Sequence, residues 1–139
     1  LSKIDSSSIL FFLGILLAIG ALESLGYLEQ LAHILQTSVG NQNIIVILIG
    51  IASSIVDNVP LVAATMGMYS LTEFPMDHQL WEFIAFCAGT GGSLLIIGSA
   101  AGVAVMGMEQ ISFGWYMKKI SFIAFLGYLA GAITYIVLV

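Results

Sequence analysis

The octapeptide Ser53-Ser54-Ile55-Val56-Asp57-Asn58-Val59-Pro60 sets two hydroxyls, a carboxylate, a carboxamide and a proline between Asn43–Ala52 and Leu61–Tyr69, which are almost pure hydrocarbon. Nothing in a lipid-facing helix calls for such a cluster. An acidic residue at membrane depth is costly to hold there, and by default it marks a functional site. A second stretch, Gly89-Thr90-Gly91-Gly92-Ser93, interleaves two hydroxyls with three glycines in another apolar run. Together the two stretches offer hard oxygen donors with one net negative charge: Asp57, Asn58, Ser53, Thr90 and Ser93. That set suits a small, hard, monovalent cation, and no His/Cys set offers a site for a softer metal. The same carboxylate can take a proton instead. Cation and proton then compete for Asp57, which is the minimal machinery of an exchanger.

Other titratable side chains carry less. Glu23 lies about 20 Å along a helix from Ile9, in the outer part of a bilayer. It is either an interfacial carboxylate reaching water or a proton relay. His33 falls in the interface and receives no role. Glu73, Asp77 and His78 lie in the polar loop Ser70–Leu80 with Glu82 just beyond it, and the spacing of the four matches no metal-binding pattern. A solvated loop is expected there, and no cofactor is implied anywhere in the chain.

Composition says what kind of elements hold these groups. The 139-residue chain is 60% hydrophobic and 8% charged, with a mean hydropathy of +1.09. A soluble domain carries about 25% charged residues, so the class is an all-α integral membrane protein. The net charge of −5 comes from three basic and eight acidic residues, most of the acids near segment ends, and offers no basic surface to nucleic acid or to anionic lipid. Cys87 is the single cysteine, which excludes a disulfide framework and a thiolate cluster. The chain starts at Leu1, and Val139 stands inside an apolar run; it reads as a piece of a longer polypeptide. Ile9–Leu35 is too long for a signal peptide.

Four segments follow. Residues 8–35 form a scaffold helix whose crossing ends near Leu28, the rest running along the interface; Asp5 and Ser6–Ser8 supply an N-cap region. Residues 43–69 carry the Asp57 cluster. Pro60 lacks an N–H and biases Val59 away from helical geometry. This predicts a helix that stops near Val56, a short unwound tip, and a second helix with Pro60 in its first turn. One membrane helix kinked at proline is the alternative. Residues 81–108 read as a discontinuous helix, because each helix-interior glycine costs about 1 kcal/mol relative to alanine. Gly91 and Gly92 are expected to serve backbone freedom, whereas close packing through small residues suits Gly98, Gly102 and Ala104. Residues 113–139 form the final helix, with Trp115, Tyr116, Lys118 and Lys119 as an interface anchor ahead of the apolar run Ser121–Val139.

The lysines arbitrate the topology. Lys3, Lys118 and Lys119 are the only basic residues, and the positive-inside rule wants them on the cytoplasmic side. If residues 43–69 cross, Lys3 and Lys118/Lys119 fall on opposite sides. If they dip in and return, all three share the cytoplasm. Each arm, at about 13–20 Å of helix, reaches the midplane without crossing. The adopted reading is a re-entrant helical hairpin entering from outside, with Ser53–Pro60 at its tip. Discontinuous helices meeting near the midplane are how secondary transporters build substrate sites.

At these residues the sequence also resembles a known family. Ser-Ser-Ile-Val-Asp57-Asn58-Val-Pro-Leu-Val-Ala-Ala, followed by Gly89-Thr90-Gly91-Gly92-Ser93-Leu-Leu-Ile-Ile-Gly-Ser-Ala-Ala-Gly, is similar to the NhaD-type sodium/proton antiporters of the ion transporter superfamily, over the whole chain. The resemblance implies a scaffold helix, a re-entrant hairpin, a broken helix and a last helix, forming the transport end of the second of two inverted repeats. It implies a first repeat that is missing here, Na⁺ or Li⁺ and H⁺ as the transported ions, and Asp57, Asn58, Ser53, Thr90 and Ser93 as ion-site residues. Expected partners beyond the ions are the lipid bilayer, the missing N-terminal repeat and a second copy in a homodimer, in a bacterial inner membrane. The superfamily's dicarboxylate carriers carry a tip resembling Ser-Asn-Thr, without a carboxylate. Asp57 departs from that pattern.

Three other readings remain. An anion permease of the same fold, moving arsenite or a dicarboxylate, would want neutral donors at helix N-termini. An intramembrane hydrolase needs a second deep aspartate or a base near Ser93, and the sequence supplies neither. A scaffold subunit without transport leaves Asp57 and Gly89–Ser93 without a purpose.

Overall fold

The computed structural model of the protein describes residues 6–139. Lys3 and Asp5, invoked for the topology and the first N-cap, lie outside the described residues. Every regular element within them is helical.

Helix α1, Ser6–Ser24, does not continue into the polar residues after it. Leu25 and Gly26 close its last turn onto the carbonyls of Ala21 and Glu23. Gly26 then adopts φ 73°, a left-handed conformation that glycine reaches without steric cost. Helix α2, Tyr27–Val39, leaves at 70° to the preceding Leu13–Ser24. The expected single segment 8–35 is therefore two helices, and the break falls at Gly26, ahead of Leu28. α2 ends where Gly40, at φ 70°, donates its N–H to Gln36.

Asn41 caps helix α3, Gln42–Ala52, by accepting the Ile44 N–H at 3.2 Å. Turns over residues 53–56 follow, so α3 stops short of Val56. Helix α4, Asn58–Met66, starts with Asp57 as its N-cap and Pro60 in its first turn, where the missing N–H costs nothing. In the connecting loop the Trp81 indole donates to the Pro75 carbonyl at 2.9 Å, and Phe74 packs edge-on against Tyr69. Helix α5, Gln79–Gly91, is capped by His78, whose Nδ1 accepts the Leu80 N–H at 3.1 Å. Residues 92–99 are irregular, and helix α6 runs Ala100–Met108.

The last helix, α7, is Phe113–Leu138, 26 residues with a π turn at Met117–Ser121. At about 39 Å it exceeds the ~30 Å hydrocarbon of a bilayer. It is the one continuous helix among the described residues long and apolar enough to cross; the bent α1–α2 pair passes the same criterion only if taken as one span. Its outward residues, such as Phe122, Ile123 and Val137, are exposed, as are Leu10, Leu13 and Leu17 on α1. Large apolar side chains in that state suit a lipid environment.

The buried residues form two groups. Val46, Phe83, Ile84, Cys87, Leu94, Tyr128 and Ala132 join α3, α5 and α7. Leu28, Ile45, Ile49 and Met68 join α2, α3 and the end of α4. Gln42 lines one cavity with Met68 and Tyr69, and another with Gln79 and Val139. The start of α3, the end of α4, the start of α5 and the end of α7 thus gather at one end of the molecule. The α3–α4 pair leaves that end and comes back to it.

Candidate functional site

Away from that shared end, α3 and α5 touch backbone to backbone. A side chain on Gly91 would run into the Gly50 carbonyl, and one on Gly50 would meet the Cys87 carbonyl oxygen at 2.7 Å and the Tyr128 hydroxyl. Only glycines permit this approach. Three residues beyond Gly50, just past the end of α3, the Ser53 hydroxyl, fully buried, donates to the Ala88 carbonyl at 2.7 Å. Gly98, in the irregular stretch after α5, lies against Ser53 and Ser54. The tip of the α3–α4 pair and the break between α5 and α6 are therefore fastened together.

The glycines correct one expectation. Gly91 and Gly92 keep ordinary right-handed or negative backbone angles; among the described glycines the left-handed ones are Gly26 and Gly40. Gly91 is required for close packing. α5 ends at Gly91 and the chain is unwound from Gly92 on; the residue that takes the left-handed conformation in that stretch is Ile96, at φ 59° and buried. For a β-branched side chain this is a strained position.

Each proposed ion-site residue has a definite place. Asp57 is partly exposed at the N-terminus of α4, and its Oδ1 accepts the Val59 N–H at 3.0 Å. A carboxylate at a helix N-terminus is stabilised by the unsatisfied amides and the dipole there. Asn58 lines a groove of about 370 Å³ together with Val62, Ala85 and Gly89, which brings it beside the residue preceding Thr90. The Thr90 hydroxyl donates to the Phe86 carbonyl at 2.6 Å, and the Ser93 hydroxyl donates to the Thr90 carbonyl at 2.7 Å. Their protons are spent on backbone, which leaves lone pairs to face a cation. Ser53 sits at the α3–α5 crossing. Ser93 is exposed, and its carbonyl accepts from the Tyr116 hydroxyl of α7 at 2.6 Å. The structure joins Ser53 and Asn58 to α5; it records no hydrogen bond from Asp57 to Thr90 or Ser93.

Glu23 belongs elsewhere. It lines a cavity of about 660 Å³ with Glu29, Gly67, Ser70 and Glu73, at the shared end. The length of α4, about 13 Å, separates that end from Asp57, so a proton passing between the two carboxylates would need intervening water. His78 is spent as a helix cap. Among the described residues no group of three His, Cys, Asp or Glu side chains could hold a metal ion.

Charge and dipole have a consistent sense around the crossing. α3 and α5 end near it and present carbonyl ends; α4 and α6 begin near it and present amide ends, with Ser99 accepting the Gly102 N–H at 3.0 Å to cap α6. A cation is favoured by the carbonyl ends and by Asp57. The tyrosines on α7 carried no signal as site residues in the sequence. Tyr116 reads there as an interface aromatic, and its bond to Ser93 spans 23 positions of chain.

Comparison with known proteins gives a consistent set of similarities. Residues 1–81 match a family model described as Citrate transporter, CitMHS. Sodium/proton antiporter 1 of Arabidopsis thaliana is 56% identical over 136 residues, which are 98% of this chain and 24% of that protein. Sodium/proton antiporter 2 of the same plant is 54% identical, over 98% of this chain and 32% of its own length. The Na(+)/H(+) antiporter NhaD of Vibrio cholerae is 35% identical over 99% of this chain and 28% of that protein. The chain thus spans less than a third of the length of each of these relatives. No solved structure matches it.

Proposed function

Since the chain belongs to the citrate transporter family, CitMHS, and is similar within it to NhaD-type sodium/proton antiporters, we propose that it forms part of a secondary transporter that exchanges Na⁺ or Li⁺ for H⁺. It is an integral membrane protein, and its relatives are named as transporters, not enzymes. In this reading residues 43–69 are a re-entrant hairpin and residues 81–108 a broken helix, both reaching the bilayer midplane. Lys118 and Lys119 face the cytoplasm, and the shared end of α3, α4, α5 and α7 faces outward. Asp57 takes Na⁺ or a proton in alternation, with Asn58, Ser53, Thr90 and Ser93 supplying neutral oxygens. Glu23, at the outer end, passes protons between water and the interior.

The single observation that carries the proposal is the junction itself. Asp57 caps α4 at the point where two helix breaks are fastened by Ser53–Ala88 and Gly98–Ser53 contacts. The remaining two thirds or more of a protein of the relatives' length would supply the first repeat in inverted topology, and a second copy the other half of a homodimer. A bacterial inner membrane is one setting; the plant relatives widen it to any membrane that holds a proton gradient.

The family description favours a second reading, transport of a citrate-like anion. A carboxylate at the tip repels such a substrate, so we rank it behind cation exchange. The test uses the full-length protein in proteoliposomes. Asp57→Asn should abolish Na⁺-driven dissipation of a pH gradient, because an amide does not exchange a proton there. Asp57→Glu should keep partial exchange with a weaker apparent Na⁺ affinity. Undiminished exchange by Asp57→Asn removes Asp57 from the mechanism, and citrate uptake without Na⁺/H⁺ exchange favours the anion reading.

A further inference from the structure

Helix α7 carries three tyrosines whose hydroxyls each hold a backbone carbonyl of another element. Tyr116 donates to Ser93 at 2.6 Å, Tyr128 to Ile47 at 2.7 Å and Tyr135 to Gln79 at 3.0 Å. These carbonyls belong to the stretch after α5, the middle of α3 and the start of α5.

Tyr128 and Tyr135 are seven residues apart and share a helix face, since two turns of α-helix advance about seven residues. Tyr116 does not fit that spacing. It stands twelve positions before Tyr128, which in uninterrupted α-helix would turn it about 120° off the face. The π turn at Met117–Ser121 lies between them and takes up one additional residue in a turn. With eleven effective steps instead of twelve, Tyr116 returns to within about 20° of Tyr128.

The π turn is therefore what aims Tyr116 at Ser93. Ser93 has left the regular helix, so its carbonyl lacks the usual i+4 partner, and such orphan groups need another donor. Tyr116 supplies it. The N–H and hydroxyl of Ser93 itself both donate back to the Thr90 carbonyl, at 3.2 Å and 2.7 Å. One bond from α7 thus fixes the orientation of the Thr90–Ser93 turn.

We propose that Tyr116, brought into register by the π turn of α7, is a positioning residue that holds Thr90 and Ser93 in the geometry that binds Na⁺. It touches no ion. This rests on the cation-exchange reading above, so the test has one arm independent of transport. In the full-length protein, Tyr116→Phe removes the hydroxyl alone. Amide hydrogen exchange over residues 92–97 should quicken, while the rest of α7 keeps its protection. In proteoliposomes the Na⁺ concentration for half-maximal exchange should rise roughly 2- to 12-fold, the equivalent of one hydrogen bond, with the maximal rate retained. Removing Ile120, which turns the π turn into ordinary α-helix, leaves eleven real steps and keeps Tyr116 within about 20° of Tyr128, so the half-saturation should stay near that of the parent; the shift seen with Tyr116→Phe would here overturn the register argument. If that shortened protein does not fold, Tyr116→Phe decides alone.

Unchanged protection over residues 92–97 overturns the proposal whatever the transport result. Quickened exchange with an unaltered Na⁺ half-saturation also overturns it. Absence of Na⁺/H⁺ exchange in the unsubstituted protein refutes the parent reading, and with it the role of Tyr116 in Na⁺ binding.

Discussion

Gly91→Ala is the sharpest perturbation the fold offers. Its methyl would overlap the Gly50 carbonyl oxygen and lie 2.6 Å from the Gly50 carbonyl carbon and 3.2 Å from its Cα. All of these atoms are backbone, so no rotamer change makes room, and α3 must part from α5. Overpacking of a tight core costs about 1–3 kcal/mol. Parting also strains the buried Ser53–Ala88 hydrogen bond, worth about 0.5–1.5 kcal/mol. The expected loss is therefore roughly 2–4 kcal/mol. Gly89→Ala is the matched control: it lies in the same helix, nothing stands within 4 Å of its added methyl, and alanine gains about 1 kcal/mol over glycine in a helix. The assay is the melting midpoint of the full-length protein in detergent, followed by fluorescence-detected size exclusion. Gly91→Ala should melt several degrees below the parent, and Gly89→Ala at or above it. If the two variants melt alike, the crossing is not limited by backbone contact and the reasoning fails.

Other expectations follow from single contacts. Cysteines placed at Ser38 and Ser70, with Cys87→Ser as background, should both react with an impermeant maleimide added outside; labelling of one alone means that residues 43–69 cross the bilayer. Tyr128→Phe removes a hydroxyl bonded to the Ile47 carbonyl and should lower stability by about 1 kcal/mol, read as a modest fall in melting midpoint. Gln110 sits at φ 52° just past α6, where Ile111 donates back to the Met106 carbonyl at 3.0 Å. Glycine is the usual occupant of that left-handed position, so Gln110→Gly should raise the midpoint by the equivalent of up to about 1 kcal/mol.

What the sequence discloses is local. Asp57, Asn58 and Pro60 announce a helix start through chemistry confined to four positions, and α4 begins there. Hydropathy is blind to Gly26, because Leu25, Tyr27 and Leu28 continue the apolar character across a 70° bend. The role of Gly91 is equally hidden. A glycine that admits another backbone and one that admits an unusual φ are the same letter, and only the position of Gly50 separates them. Tyr116 escapes periodicity for a different reason. Helical spacing assumes a constant rise and turn, and the π turn shifts its register by one residue. The ion-site assignment rests on residue chemistry and resemblance; the structure supplies the fastening of Ser53 to α5, which no spacing rule contains.

The fastening constrains how such a site can open. Two surfaces that meet through side chains can slide, since rotamers absorb the motion. Gly50 against Gly91 and Ser53–Ser54 against Gly98 leave no side chain between the surfaces. A gate that swings the tip of the hairpin away from the broken helix would have to tear this seam on every cycle. Motion is cheaper at the seam's periphery, where Gly26 lets α1 pivot on α2 and Gly40 joins α2 to α3. In the proposed exchanger the two halves of the candidate pocket would therefore travel as one piece, like a cargo crate moved with its lid nailed down, and exposure to either side of the membrane would come from what slides past it.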